Sequence, residues 1–111
     1  MKFEKVEYGY GVEILAADDF MAIPAKISGT DIVKAGMPID KSGSPVPDGN
    51  GAVGILLYDV DPNRNPNCAL VTHGYIDWTK AMEHSGATAD ASTISGVLPS
   101  IVFRENIGVN I

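Results

Sequence analysis

The sequence predicts a mainly β domain (α+β) with one short helix near residues 87–95 and an extended N-terminal arm. Three observations carry this prediction. Apolar or aromatic residues alternate strictly from Val6 to Ile14. An apolar run at residues 52–58 has no polar side chain on either face. Glycine and proline recur every few residues between these segments, leaving room only for short strands. The arm is assigned to residues 1–18 and the β-rich domain to residues 19–111.

Each element follows from its residues. Val6, Tyr8, Tyr10, Val12 and Ile14 are separated by Glu7, Gly9, Gly11 and Glu13. A period of two puts the first set on one face of a strand. The two glycines weaken that strand by themselves, so it gains from a partner sheet. That partner is either the chain's own sheet or another protein's edge. Ala16, Ala17, Asp18 and Asp19 break the pattern. A second extended segment runs from Phe20 to Ile27, and Pro24 confines it to a sheet edge or a bulge. Short strands fit near residues 31–34 and 37–40, and residues 42–51 read as an exposed loop.

The run at 52–58 reads as a strand that is central or covered. Residues 59–67 are dense in Asp, Asn and Pro and form a turn region. Residues 68–77 return as its antiparallel partner, making a long-looped hairpin. Residues 78–84 fit one helical turn or an ordered loop. Ser85 and Thr88 are candidate N-caps, and Asp90 is well placed for the helix dipole. Gly96 and Pro99 supply a stop signal, and residues 100–104 form a last short strand.

Composition narrows the function. The chain has 111 residues and is 45% apolar, which suits one globular domain. Net charge is −6, with the acidic groups spread along the chain. Such a surface repels phosphate backbones, so no nucleic-acid partner is expected. The apolar run at 52–58 is far shorter than the roughly 20 residues that span a bilayer, so no membrane partner is expected either. The first residues, Met-Lys-Phe-Glu-Lys-Val-Glu, lack the apolar core of a secretory signal. One cysteine, Cys68, makes no internal disulfide, which agrees with a reducing cytoplasm.

No motif points to catalysis, a metal or a cofactor. Asp59, Asp61, Asn63, Asn65 and Asn67 occupy alternate positions, as at the start of a calcium loop. Arg64 stands where that loop needs glycine, and Leu70 where it needs a bidentate glutamate. Cys68 and His73 are a nominal nucleophile and base. Five residues apart on one strand, they project to opposite faces unless a bulge intervenes. Adding His84 gives no zinc-ligand spacing. Asp18 and Asp19 are adjacent and diverge. Trp78, the single tryptophan, reads either as core or as an interface anchor beside Tyr75 and Asp77.

The block at residues 51–61, Gly-Ala-Val-Gly-Ile-Leu-Leu-Tyr-Asp-Val-Asp, resembles the head-decoration proteins of tailed phages, of the lambda type. Further features recur in the same order: His73-Gly74-Tyr75, Trp78, an Ala- and Thr-rich helical segment at 87–95, and Pro99-Ser-Ile-Val-Phe103. The resemblance covers residues 51–103. It implies a small β-clip or tulip-like barrel with one short helix. It implies a homotrimer at three-fold sites on the outer surface of an expanded icosahedral head. There the protein binds the major capsid protein and cements the shell against DNA pressure. It also implies a capsid-binding N-terminal arm, here Phe3, Val6, Tyr8, Tyr10, Val12 and Ile14. His73, Tyr75 and Trp78 are the expected trimer or surface contact. Expected localisation is the virion, after synthesis in the host cytoplasm. A virion-surface adhesive or carbohydrate-binding module is the alternative, motivated by the same His73, Tyr75 and Trp78 cluster. A small enzyme using Cys68, His73 and Asp77 is a third reading.

Overall fold

The computed structural model describes residues 14–16 and 20–104. Phe3, Val6, Tyr8, Tyr10 and Val12 of the predicted arm lie outside the described residues. The chain is mainly β, as the sequence predicts. In order it forms β1 (Met21–Lys26), β2 (Pro38–Asp40), β3 (Ala52–Leu56), β4 (Asn67–Asp77), α1 (Trp78–Ser85), α2 (Ala91–Val97) and β5 (Ile101–Arg104).

Among the described residues, five strands form one sheet in the order β1-β4-β3-β2, with β5 added to β4. β1, β3 and β2 pair antiparallel with their neighbours, whereas β5 runs parallel to β4. The path ends on β1 at one side and β2 at the other, so among the described residues the sheet is open rather than a closed barrel. Pro24 lies in β1, an end strand of that path, where a missing backbone donor is tolerated. The two-sided apolar run becomes β3, which is central between β2 and β4. Residues 31–34 contribute only one isolated bridge, Val33 with Val60, instead of a strand.

The sheet divides two apolar clusters. Ile55 and Val71 are Cα partners and belong to the larger cluster, with Ile76, Trp78, Ile94, Ile101 and Phe103. Leu56 and Leu70 are the next partners and belong to the smaller one, with Ile39, Val60 and Cys68. Alternation along β3 and β4 thus feeds both faces. Burying a Leu or Ile side chain contributes about 1.5–3 kcal/mol. Two-sided burial is therefore what holds this hairpin in register.

One irregularity reorganises β4. Met21 pairs with His73 but Ala22 pairs with Val71, so Thr72 is an extra residue. This is a β-bulge, and it reverses which residues face which side. Without it, Val71 and Ile76 would project to opposite faces. With it, both are fully buried in the larger cluster. Gly74, at φ 141, follows directly.

Among the described residues two helices cover the larger cluster, where one was predicted. Asp77 caps α1 by accepting from the Lys80 amide at 3.2 Å, and Gly86 ends it in the left-handed region at φ 84. Asp90, not Ser85 or Thr88, caps α2 by accepting from the Thr93 amide at 2.8 Å. Gly96 lies inside α2, and its C-cap is Leu98.

Candidate interaction face

The bulge and the two helices leave one side of the sheet open. α1 and α2 pack on the side of the larger cluster, with Trp78, Ala81 and Ile94 buried there. On the opposite side the smaller cluster covers Cys68 and Leu70. Beyond Thr72 that side turns outward. His73 and Tyr75 are exposed there. Met21 is the Cα partner of His73, and Val102 is the Cα partner of Tyr75. Paired residues share a face, so Met21, Ile23, His73, Tyr75, Val102 and Arg104 form one strip. Four of them are large apolar or aromatic residues left 43–60% exposed: Met21, Ile23, Tyr75 and Val102. Single exposed apolar residues are ordinary, whereas here four lie on one face of the sheet.

β1 reinforces this patch. Its first four residues, Met21 to Pro24, are all exposed, although a strand in a sheet normally buries one face. Phe20, just before it, is also exposed. β1 therefore presents an exposed apolar surface among the described residues.

The predicted site residues separate into distinct groups. His73 and Tyr75 stand on the open face, as expected of a contact surface. Trp78 does not join them, and the expectation of an exposed aromatic trio is corrected here. Trp78 is fully buried at the start of α1. Its indole Nε1–H donates to the Ala89 carbonyl at 3.0 Å. Its ring meets the Phe103 ring edge-on, with centroids 5.2 Å apart. The indole satisfies its single donor internally and has no face left for a sugar or a partner. The aromatic expected to anchor an adhesive site is thus a core residue.

Ile14, the last residue assigned to the shell-binding arm, is also corrected. It is fully buried in the larger cluster. Its carbonyl accepts from the Asp77 amide at 2.7 Å, and the Ala16 amide donates to the Tyr75 carbonyl at 2.8 Å. Leu15 bridges Ile76 antiparallel between them. Residues 14–16 thus belong to the domain's own sheet. The alternation at 6–14 cannot distinguish an internal partner from an external one, because both bury every second residue.

The Cys68 and His73 argument also changes its ground. A bulge does lie between them, at Thr72, so their faces are not opposed by simple alternation. Distance separates them instead, because five residues of strand span roughly 16 Å. Cys68 is buried, and burial pushes its thiol above the ordinary value, away from the reactive thiolate. The His73 ring Nδ1 lies 3.1 Å from its neighbour Thr72 Oγ1.

The acidic turn after β3 holds itself together. Asp61 accepts from the Asn63 amide at 3.1 Å and Asn65 from the Asn67 amide at 3.1 Å. These local bonds are the usual work of Asx residues in turns. Among the described residues, no group of three or more His, Cys, Asp or Glu side chains is arranged to hold a metal ion. An open cleft of about 530 Å³ lies beside this turn, lined by Ile32, Lys34, Tyr58, Asp61 and Arg64 among others.

One contact escaped sequence reading. His84 Nε2 donates to Asp59 Oδ1 at 2.8 Å, and the same oxygen accepts from the Ala35 amide at 2.9 Å. Asp59 thereby ties α1, the end of the β3 hairpin arm and the loop before β2 at one point. The side chains retain only 17% and 13% exposure, so solvent screens this pair less than a surface pair. The 25-residue separation of the partners gives no local sequence signal.

No helix among the described residues is long and apolar enough to cross a membrane. No family description, curated protein or solved structure matches this chain.

Proposed function

We propose that this chain is a capsid decoration protein. It binds the outside of an expanded icosahedral phage head, as trimers at three-fold sites, and stabilises the shell against the pressure of packaged DNA. The ordered set of motifs from Gly51 to Phe103 supports this reading. The observation that carries it furthest is the anchoring of Ile14. The alternating segment reaches the domain opposite Asp77, the last residue of β4. α1 begins at the next residue, so β4 has no further strand position to offer residues upstream of Ile14. Val6, Tyr8, Tyr10 and Val12 therefore suit a partner edge, and the fitting partner is a strand of the major capsid protein.

In this reading Phe3, Val6, Tyr8, Tyr10 and Val12 contact the shell, and His73 and Tyr75 contact a neighbouring copy. Ile14 acts as the anchor between arm and domain. Three arms on one trimer raise the effective concentration of each. The chain uses no cofactor, and neither nucleic acid nor a membrane is a partner.

The test is cosedimentation of the purified chain with expanded heads. Tyr8→Asp/Tyr10→Asp substitutions should abolish binding while leaving the circular dichroism spectrum unchanged. A doubly substituted chain that bound heads as well as the parent would overturn the arm assignment. A parent chain that bound no heads would overturn the decoration reading itself.

A further inference from the structure

We infer that Asn50 is a site of spontaneous covalent modification in the folded chain. It loses ammonia and becomes an aspartyl or isoaspartyl residue, and the isoaspartyl form loosens the entry to β3. The reacting groups are the Asn50 carboxamide and the Gly51 backbone nitrogen, and water is the co-reactant. The inference is independent of the decoration reading.

The chemistry sets three requirements. The backbone nitrogen that attacks must not be donating to another acceptor. The carboxamide must be free to rotate onto it. The residue that supplies the nitrogen must bring no side chain into the approach. Asn50 and Gly51 meet all three in the turn just ahead of β3, where both are exposed. The Gly51 N–H has no acceptor among the described residues. The bonds of this turn run from the Gly49 N–H to the Val46 carbonyl at 2.7 Å and from the Ala52 N–H to the Gly49 carbonyl at 3.1 Å. Asn50 is held by its backbone N–H alone, which donates to Asp48 Oδ1 at 3.0 Å. Around the position of a Cβ at Gly51, at φ +79, there is open space.

The other described asparagines fail these requirements. Asn63 and Asn67 precede Arg64 and Cys68, whose side chains crowd the attack, and Asn65 precedes Pro66, which has no amide proton. The Asn63 Nδ2 also donates to the Thr30 carbonyl at 2.9 Å, and Asn65 Oδ1 accepts from the Asn67 amide. Position 48 precedes a glycine too, but Gly49 is buried and its N–H is committed to Val46. A Cβ there would stand 2.8 Å from the Ile94 Cδ1.

The Gly51 nitrogen gives its proton to solvent and attacks Asn50 Cγ. The N–Cγ bond forms, the Cγ–Nδ2 bond breaks, and Nδ2 takes up a proton and leaves as ammonia. A five-membered succinimide remains. Water then opens the ring at either carbonyl. Breaking the N–Cγ bond gives an aspartyl residue on the original backbone. Breaking the other ring C–N bond gives an isoaspartyl residue, whose main chain runs through Cγ. Both products add a negative charge, and no electron is transferred. The isoaspartyl product also adds one main-chain atom inside the turn that the Ala52–Gly49 bond closes. Ala52 is buried in the larger cluster and is the Cα partner of Asp40. A longer turn therefore strains the first residue of β3.

Mass spectrometry of the full chain, aged at neutral pH, tests the inference. Cleavage after Lys41 and Arg64 isolates residues 42–64. A gain of about 1 Da at position 50 should accumulate with time, and electron-transfer fragmentation should find both products. Its rate should lie within about tenfold of that in a free peptide of residues 46–54, because no bond must open first. Asp48→Asn supplies an internal comparison. In that folded variant position 48 should react at least about tenfold more slowly than position 50, because the Gly49 amide must first leave Val46. In urea the two should react alike. The aged parent should show a lower Tm, whereas aged Asn50→Ser should keep its own. An Asn50 intact in the folded chain after the peptide has fully converted overturns the inference. Equal modification at positions 48 and 50 in folded Asp48→Asn overturns selection by the free Gly51 amide. Isoaspartate at position 50 with an unchanged Tm overturns the loosening of β3.

Discussion

Replacing Trp78 by alanine should remove a large part of the stability of this domain. The side chain is fully buried and fills the junction of α1, β5 and the segment before α2. Its loss removes the apolar volume, the edge-on contact with Phe103 at 5.2 Å and the donor to the Ala89 carbonyl. Tryptophan-to-alanine changes in cores cost about 3–5 kcal/mol. Small domains have a total stability of about 5–15 kcal/mol. An unfolding entropy of about 2.1 cal/mol/K per residue gives roughly 0.23 kcal/mol/K for a chain of 111 residues. A loss of about 4 kcal/mol then lowers Tm by about 17 °C. Trp78→Phe isolates the polar part, because it keeps most of the packing and orphans the buried Ala89 carbonyl. That change should cost about 1–3 kcal/mol, or about 4–13 °C. Far-ultraviolet circular dichroism during thermal and urea unfolding measures both, and does not depend on the fluorophore being removed. An alanine variant that lost less than about 1 kcal/mol with an unchanged urea m-value would refute the core placement of Trp78.

Three further outcomes are expected. Gly36 has φ +98, and an added Cβ would stand 2.7 Å from the Ala81 Cβ and carbonyl oxygen of α1. Gly36→Ala should therefore cost about 2–4 kcal/mol from overpacking and left-handed strain together, and unchanged urea stability would contradict the close approach. Asp59→Ala should cost more than His84→Ala, because it also strips the Ala35 amide of its acceptor, and a double-mutant cycle should give a coupling of about 0.5–3 kcal/mol; zero coupling would dissolve the pair. Hydrogen bonds from Thr93 to Asp90, and from Ser44 and Ser42 to Asp40, hold both carboxyls below the ordinary value. A lowered folded pKa stabilises above the unfolded value of about 3.9, and that contribution disappears as pH falls through the folded value. Asp40→Asn/Asp90→Asn should accordingly lose less stability than the parent on acidification below about pH 4, and parallel pH profiles would sink this assignment.

By itself the sequence determined the strands whose cause is local. The apolar run at 52–58 requires cover on both faces, and β3 is central for that reason. Pro24 cannot donate, and β1 is accordingly an end strand of the sheet path. The Asp- and Asn-rich stretch turns because its side chains bond their own backbone. The tertiary structure decided the rest. The extra residue at Thr72 is defined only by the ladder with β1, yet it sets which side every later residue of β4 faces. Trp78 is core because Phe103 and Ala89, distant in sequence, meet it there. Ile14 is an anchor because Asp77 supplies the amide that its carbonyl accepts. Asp59 and His84 meet only once α1 has packed on the sheet. Periodicity states that a face must be buried, whereas the identity of what buries it depends on long-range packing. The face left open by that packing, around Tyr75 and Val102, is where the proposed contacts lie.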